Sequence, residues 1–150
     1  IRTFSKSFGL AALRAGYIVA NKNLAQLLYK FKPMYEINSV TAIMVNFFIK
    51  NKNLEKKHLA EVEEGRKFLL KNLEKLKIYF INTPTNFIHI KTKSNSAKNI
   101  LVKYLYNNKI LVRGGGPGVK GYENYLRVTL GSKLQMNKLI KLIMRKRELF

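Results

Sequence analysis

The sequence predicts an α/β protein, and three features of its apolar pattern support that fold class. Leucine and valine recur at helical spacing over residues 54–76, with lysine and glutamate on the other side, which predicts a long amphipathic helix. Short strand-like runs then alternate with helical segments, a pattern typical of a small sheet covered by helices. A short strand and two shorter helices are predicted before the long helix.

The N-terminal third is predicted to contain that strand and the two shorter helices. Residues 14–20 form a short apolar run that is typical of a strand. Asn21 is expected to cap a helix that continues to about Phe31, and Pro33 ends it. The next helix is predicted over residues 39–50, and its wide apolar face predicts that it is buried.

The segment after the long helix is predicted to form the small sheet and its covering helices. Apolar runs between turn residues indicate the strands, and apolar residues at helical spacing indicate the helices. Strands are predicted at residues 78–81, 87–91, 110–113 and 125–130, and helices at residues 96–108 and 135–147. A domain boundary is expected between residues 52 and 53, so that the long helix belongs to the second domain.

Composition argues against several kinds of site. The chain has no cysteine, which excludes disulfides and cysteine-based metal or redox chemistry. His58 and His89 stand alone in the sequence, so no metal site is predicted, and both are expected to be structural or exposed.

The most apolar run, residues 40–49, is about half the length that a membrane-spanning helix needs. No signal peptide is recognised, and a cytoplasmic protein without a membrane partner is predicted.

The charge of the chain raises the alternative of a nucleic-acid-binding protein. There are 29 basic residues against 8 acidic ones, for a formal net charge of +21. The basic residues are mostly lysines scattered through every segment, and no nucleic-acid-binding motif organises them. This pattern favours non-specific, salt-sensitive binding over specific recognition. A true nucleic-acid binder would show a steep salt dependence and would still bind at moderate salt.

The strongest chemical signal lies at the start of the chain, around Lys6. Thr3 and Ser5 precede this lysine, Gly9 follows it, and Arg14 lies eight residues beyond it. A lysine amine forms a Schiff base with an aldehyde, while hydroxyls and a guanidinium bind phosphate. The segment therefore fits the needs of a phosphorylated aldehyde cofactor. A polar turn that happens to contain a lysine is the alternative interpretation.

Six positions here fit the pattern S-K-x-x-G-x(4)-R-x-G-Y, which resembles the cofactor-lysine motif of fold-type-I aminotransferases of class I/II. They are Ser5, Lys6, Gly9, Arg14, Gly16 and Tyr17. The closest resemblance is to the histidinol-phosphate aminotransferase branch. It implies pyridoxal 5'-phosphate as cofactor, with Lys6 as the catalytic amine that bonds to it and carries a proton. It also implies that Thr3, Ser5 and Arg14 hold the cofactor phosphate.

A second motif lies near the end of the chain, after a glycine-rich loop. Arg127 stands in Leu-Arg-Val-Thr-Leu-Gly, which resembles the family strand whose arginine binds the substrate α-carboxylate. An arginine on the exposed face of an edge strand is the alternative. Arg113 lies at a position where the family often has the sequence Val-Arg-Pro, but in this chain glycines follow the arginine. Arg113 is thus either a loop charge or a substrate-recognition residue, and the resemblance leaves the substrate open.

The resemblance also implies an architecture, because in the family most of the large domain precedes this lysine. Residues 1–52 would be the C-terminal remnant of the large cofactor-binding domain, and residues 53–150 the small α/β sandwich domain with the long linking helix. The implied enzyme is a homodimeric biosynthetic transaminase that acts on an amino acid and an oxo acid. The chain is expected to be inactive without the N-terminal portion. A pyridoxal-phosphate-dependent decarboxylase of an amino-acid phosphate and a non-catalytic truncated remnant remain alternatives.

Overall fold

The computed structural model describes residues 1–115 and 120–150, and contacts divide the chain into two units, Ile1–Leu59 and Ala60–Phe150. The first unit begins with a pair of antiparallel strands, β1 (Arg2–Thr3) and β2 (Gly16–Tyr17). Two helices follow, α1 (Lys22–Tyr29) and α2 (Ser39–Lys50). The next helix, α3 (Lys52–Lys75), begins in the first unit and ends in the second.

Both helices of the first unit begin where an asparagine side chain caps them. Asn21 Oδ1 accepts a hydrogen bond from Leu24 N at 2.9 Å, and Asn38 Oδ1 accepts one from Thr41 N at 2.8 Å. These bonds satisfy backbone N–H groups that a helix start otherwise leaves unpaired. The predicted cap of α1 and the predicted bounds of α2 are therefore confirmed.

Two predictions for the first unit are wrong. The strand predicted over residues 14–20 is reduced to β2, because β1 offers hydrogen-bonding partners to those two residues alone. The predicted burial of α2 fails as well, since Thr41 is its single buried residue and Ile43 is 67% exposed. Val45 and Phe48 pack against the small core of this unit, whereas the exposed apolar residues of the helix are Val40, Ile43, Phe47 and Ile49.

The second unit contains a four-stranded antiparallel sheet within the described residues. Its strands are β3 (Phe80–Asn82), β4 (Phe87–Lys91), β5 (Arg113–Gly114) and β6 (Tyr125–Thr129), in the order β3-β4-β6-β5. Two further helices complete the unit, α4 (Asn95–Asn107) and α5 (Lys133–Met144). Ser132 and Gln135 form a capping box at the start of α5.

The helices α3, α4 and α5 share a core with one face of the sheet. Alternate residues of the central strands supply the sheet side of this core, because side chains on a strand point to opposite faces in turn. The buried sheet residues are Ile88, Ile90, Leu126 and Val128, and the fully buried helix residues include Leu69, Leu73, Leu101, Leu105 and Ile143. The residues between them, His89 and Arg127 among them, lie on the other face of the sheet.

The predicted elements of the second unit are present, with shifted ends. The strand predicted at residues 110–113 is wrong except for its last residue, because only Arg113 and Gly114 lie opposite β6. Helix α5 begins earlier and ends earlier than predicted, and a 3₁₀ turn (Arg147–Leu149) follows it. In the described part of the chain, no helix is both long enough and apolar enough to cross a membrane.

Candidate functional site

The loop that carries Lys6 is fixed at both ends by hydrogen bonds and buried apolar side chains. Phe4 N donates to Ala15 O at 3.1 Å, and Leu10 N donates to Phe4 O at 3.1 Å. The side chains of Phe4, Leu10 and Ala15 are buried and form the core of the first unit. Lys6 lies on the outer side of this closed loop with an exposed side chain. The fold thus presents the amine to ligands while its neighbours hold the backbone in place.

The two motif glycines have clear structural roles in this loop. Gly9 has a φ of +69°, a conformation that glycine adopts without strain, and its N–H donates to Lys6 O at 2.9 Å. Gly16 lies so close to β1 that a Cβ atom there would be 2.6 Å from Arg2 O. Gly9 therefore forms the turn after the lysine, and Gly16 lets the two ends of the loop approach each other.

The hydroxyls of Thr3 and Ser5 differ in whether they are free to donate a hydrogen bond to a ligand. Thr3 Oγ1 donates to Ala15 O at 3.4 Å and accepts from Ser5 N at 3.1 Å. Its hydrogen is therefore used to close the loop. The Ser5 hydroxyl has no hydrogen-bond partner among the described residues, and a hydroxyl can both donate and accept. Ser5 is thus the better placed of the two to donate to a phosphate oxygen.

Arg14 lies at the other end of the same loop, next to Ala15. It has a φ of +53° and follows the short 3₁₀ turn Ala11–Leu13. Its Nη1 donates to Ala11 O at 2.9 Å, and the remaining N–H groups of the guanidinium stay available. The hydrogen bond from Phe4 N to Ala15 O closes the loop. Ser5 follows Phe4 and Arg14 precedes Ala15, so both residues lie next to this bond. A hydroxyl, a guanidinium and an exposed amine on one fixed loop fit a phosphorylated aldehyde.

In the second unit, the sheet register places three nitrogen-bearing side chains in one row. Arg127 of β6 lies directly opposite His89 of β4 on one side and directly opposite Arg113 of β5 on the other. Residues directly opposite each other in a sheet project from the same face. The row of Arg113, Arg127 and His89 therefore lies on the face turned away from the helices.

Arg127 has a partly enclosed setting without a counter-charge in the described residues. Its Cζ lies 5.0 Å from the centroid of the Phe87 ring, a distance at which the aromatic face attracts a cation. The side chain is half-buried, and its guanidinium has neither an ion pair nor a hydrogen bond within residues 1–115 and 120–150. Arg113, by contrast, is exposed. A planar guanidinium held in this way can bind a carboxylate through two parallel hydrogen bonds.

Sequence reasoning missed the position of His89. Its ring is half-buried and lies 5.4 Å from the Phe87 centroid, 5.0 Å from that of Tyr122 and 6.5 Å from that of Tyr125. Nδ1 is buried and has no hydrogen-bond partner among the described residues. Burial and the nearby charge of Arg127 lower the pKa of His89. The alternating pattern of β4 indicates its face, but only the pairing of β4 with β6 places it beside Arg127.

The glycine-rich loop between β5 and β6 is described only at its ends. Gly115 N donates to Tyr125 O at 2.6 Å, which continues the contact between β5 and β6. Near the other end, Glu123 Oε1 accepts from Gly121 N at 3.0 Å, and this bond lowers the pKa of the Glu123 carboxyl. The departure from Val-Arg-Pro begins at Gly114, which lies in β5, whereas Gly116 and Pro117 of the same stretch lie outside the described residues.

The sequence of this chain resembles those of aminotransferases. The sequence matches the family described as aminotransferase class I and II over residues 1–143. It is 30% identical over 135 residues to histidinol-phosphate aminotransferase 2 of Carboxydothermus hydrogenoformans, an alignment that covers 90% of this chain and 36% of that protein. The chain thus spans about a third of the length of this curated relative.

Solved structures show the same fold. Histidinol-phosphate aminotransferase from Sinorhizobium meliloti in complex with pyridoxal-5'-phosphate superposes with a TM-score of 0.83 at 22% identity, over 99% of this chain and 41% of that one. L-threonine-O-3-phosphate decarboxylase from Porphyromonas gingivalis gives 0.77 at 23% identity, over 97% and 45% of the two chains. The predicted fold, part of a pyridoxal-phosphate-dependent transferase, is confirmed, and so is the family resemblance.

Proposed function

This chain belongs to the aminotransferase class I and II family, and we propose that it supplies the cofactor lysine and the carboxylate-binding strand of a pyridoxal-phosphate-dependent transaminase. The reaction would transfer an amino group between an amino acid of the histidinol-phosphate type and an oxo acid. Relatives of this chain named histidinol-phosphate aminotransferases support this substrate class. The observation that carries the proposal is the closed loop in which Lys6 is exposed between the donors Ser5 and Arg14.

Each residue has a distinct part in this proposal. Ser5 and Arg14 bind the cofactor phosphate, and Thr3 holds the loop that positions them. Pyridoxal phosphate, when bound, supplies an electrophilic carbon and an electron-withdrawing ring. With the cofactor bound, Lys6 Nζ would hold it at that carbon in the resting enzyme. Once the substrate amine had displaced it, the free Lys6 amine would take the proton from the substrate Cα and carry it to the cofactor side.

Arg127 binds the substrate α-carboxylate in this scheme and so orients the Cα bond that breaks. Arg113 contributes a second positive charge on the same face of the sheet. The chain spans 36% of the length of a curated relative, so we expect these 150 residues to be inactive without the rest of the fold. The division into family domains at residues 52 and 53, the homodimer, the cytoplasmic location and the biosynthetic role stay predictions.

Covalent labelling tests the proposal on the chain as it stands. The protein is mixed with pyridoxal phosphate, reduced with borohydride and mapped by peptide mass spectrometry. Because the chain carries many lysines, labelling at Lys6 is compared with labelling at Lys22, an exposed lysine at the start of α1. We expect preferential labelling of Lys6 that is lost in Lys6→Ala and kept in Lys22→Ala. Equal labelling of both lysines would contradict the proposed cofactor site.

A second candidate function, decarboxylation of an amino-acid phosphate, has one observation in its favour. The structure of an L-threonine-O-3-phosphate decarboxylase superposes on 97% of this chain. A lysine and a carboxylate-binding arginine serve both reactions, so the described site does not separate them. Product analysis does: release of carbon dioxide without formation of an oxo acid would favour the decarboxylase. The remaining alternative, a non-catalytic remnant, predicts no preferential labelling of Lys6.

A further inference from the structure

A cavity opens at the edge of the sheet where β5 ends early. The pairing of β5 with β6 covers Arg113 and Gly114, and in the described part of the chain no backbone hydrogen bond joins Leu111 to Thr129. The segment before β5 therefore leaves a gap beside the end of β6, and α5 lines this gap as well. Its volume is about 510 Å³, which lies within the range of roughly 300–1,000 Å³ that is typical of ligand sites.

The walls of this cavity are mainly aliphatic. Its lining includes Leu111 from the segment before β5, Val128 and Leu130 from β6 and the residue after it, and Met136 and Leu139 from α5. Leu111 is 81% exposed, so a ligand that covers it removes apolar surface from water. The described lining contains no aromatic side chain on which a ring could stack. An aliphatic chain is therefore the apolar group that matches these walls.

Two lysines at the rim make the cavity positively charged. Lys109 lies at the start of the segment before β5, and Lys138 lies on α5. Both side chains are exposed, and neither forms an ion pair within residues 1–115 and 120–150. The described lining contains no acidic side chain. The rim is thus complementary to a negatively charged group on the ligand.

The end of α4 holds the backbone of Lys109 in place beside the cavity. Lys109 N donates to Tyr106 O at 2.9 Å, and Ile110 N donates to Leu105 O at 2.9 Å. These two bonds form a Schellman motif, with Lys109 at the left-handed position (φ +62°). The same motif ends α3, where Lys77 has a φ of +56° and does not line the cavity. Lys77 therefore provides a matched control for Lys109.

We propose that this cavity binds a free aliphatic carboxylate. The hydrocarbon chain lies against the apolar walls, and the carboxylate lies beside Lys109 and Lys138. The lining includes neither Lys6 nor Arg127, so the site is separate from the proposed cofactor and substrate sites.

Octanoate is the probe, and the methionine methyl groups report where it binds. The chain contains four methionines, of which Met136 lines the cavity and Met144 lies at the end of the same helix. With isotope-labelled methyl groups, nuclear magnetic resonance identifies the Met136 signal by its loss in Met136→Leu. We expect octanoate at constant ionic strength to move this signal saturably, and at lower concentration than it moves that of Met144. A Met136 signal that stays in place, or moves without saturation, would overturn the proposal.

A second copy of the chain is the other possible occupant of the cavity. Dilution of the protein without octanoate separates the two cases. We expect the Met136 signal to be independent of protein concentration. A signal that moves with protein concentration alone would show that a second copy covers the cavity and would overturn the proposal.

Comparison of octanoate with octanol, an uncharged molecule of the same chain length, tests the role of charge. Lys109→Gly and Lys138→Gln should each weaken octanoate binding about two- to fivefold, the effect of an exposed ion pair, and leave octanol binding unchanged. Glycine is favoured at a left-handed helix end, so Lys109→Gly should fold. The controls are Lys77→Gly and Lys141→Gln, the latter at an exposed position of α5 outside the lining. Equal losses of octanoate affinity in variants and controls would show that net charge attracts the anion, and would overturn the proposal.

The apolar wall is tested at Leu111, with Leu134 as the control. The two side chains are 81% and 79% exposed, so serine at either position should leave the fold intact. Leu111→Ser should weaken octanoate and octanol alike by about fourfold or more, the effect of one buried methylene group. Leu134 lies on α5 outside the lining, and Leu134→Ser should change neither affinity. Equal effects of the two variants would overturn the proposal. Since no cofactor is added, such a failure would leave the labelling test of Lys6 unaffected.

Discussion

His89 and Arg127 lie directly opposite each other on β4 and β6, on the face of the sheet that the helices leave open. A histidine and an arginine in this arrangement would repel each other if both were charged. Burial of Nδ1 and the low pKa of His89 keep the pair at a single positive charge near neutral pH. The pair therefore combines one permanent cation with one neutral donor, a combination suited to binding an anion in a fixed orientation.

The first prediction concerns the dependence of stability on pH. Folding lowers the pKa of His89 below its ordinary value of about 6.5, so the unfolded chain binds this proton more readily than the folded chain. The contribution of His89 to stability is thus fully present above about pH 6.5 and is lost as the pH falls through the folded-state pKa. Urea unfolding at pH 7.5 and pH 5 should show a larger loss of stability for the original chain than for His89→Gln.

The control for this prediction is the other histidine. His58 lies on α3 in the first unit, and His58→Gln makes the same substitution away from the row of Arg127. Identical pH profiles for the original chain and His89→Gln would show that His89 does not titrate differently in the folded state.

The second prediction concerns the close approach of the two ends of the lysine loop. In Gly16→Ala the new Cβ would meet Arg2 O at 2.6 Å, so β1 and β2 must move apart. Because the loop between them carries Lys6, we expect a loss of stability of about 1–3 kcal/mol. Preferential labelling of Lys6 by pyridoxal phosphate should fall with it. Thermal unfolding and peptide mapping after borohydride reduction measure the two effects.

Gly114→Ala is the matched control, because its new Cβ would meet the flexible end of the Lys98 side chain at 3.2 Å rather than backbone. It should leave both stability and Lys6 labelling close to those of the original chain. If Gly16→Ala behaved like this control, the close contact between β1 and β2 would not be what shapes the loop.

The third prediction concerns the exposed apolar side of α2. Ile43 is 67% exposed, and Val40 on the same helix is 64% exposed. Apolar side chains grouped on a surface promote association between molecules. We expect Ile43→Lys to reduce the self-association of the 150-residue chain, as measured by light scattering over a range of protein concentrations.

Asn46→Lys separates the effect of charge from the loss of apolar surface. Asn46 is exposed on the same helix, so this variant adds the same charge and keeps the apolar residues. It should associate nearly as strongly as the original chain. Equal reductions in the two variants would show that added charge, and not the apolar face of α2, controls association.

The sequence by itself determined the features whose causes are local. Asn21 caps α1 with its own side chain, and α2 begins and ends where its pattern predicts, because helix starts depend on residues three or four apart. The spacing of Ser5, Lys6, Gly9 and Arg14 likewise identifies the lysine loop, since all its members lie on one short segment. These features needed no knowledge of the rest of the fold.

The tertiary structure decided what depends on pairing between distant segments. β6 inserts between β4 and β5, and only this strand order brings His89, Arg127 and Arg113 into one row. The sequence of α2 did not determine its burial either. An apolar face shows that a helix can pack against a partner, but not that a partner is present. A sequence pattern fixes the face on which a side chain lies. Long-range pairing fixes its neighbours, and the pKa of His89 and the surroundings of Arg127 follow from those neighbours.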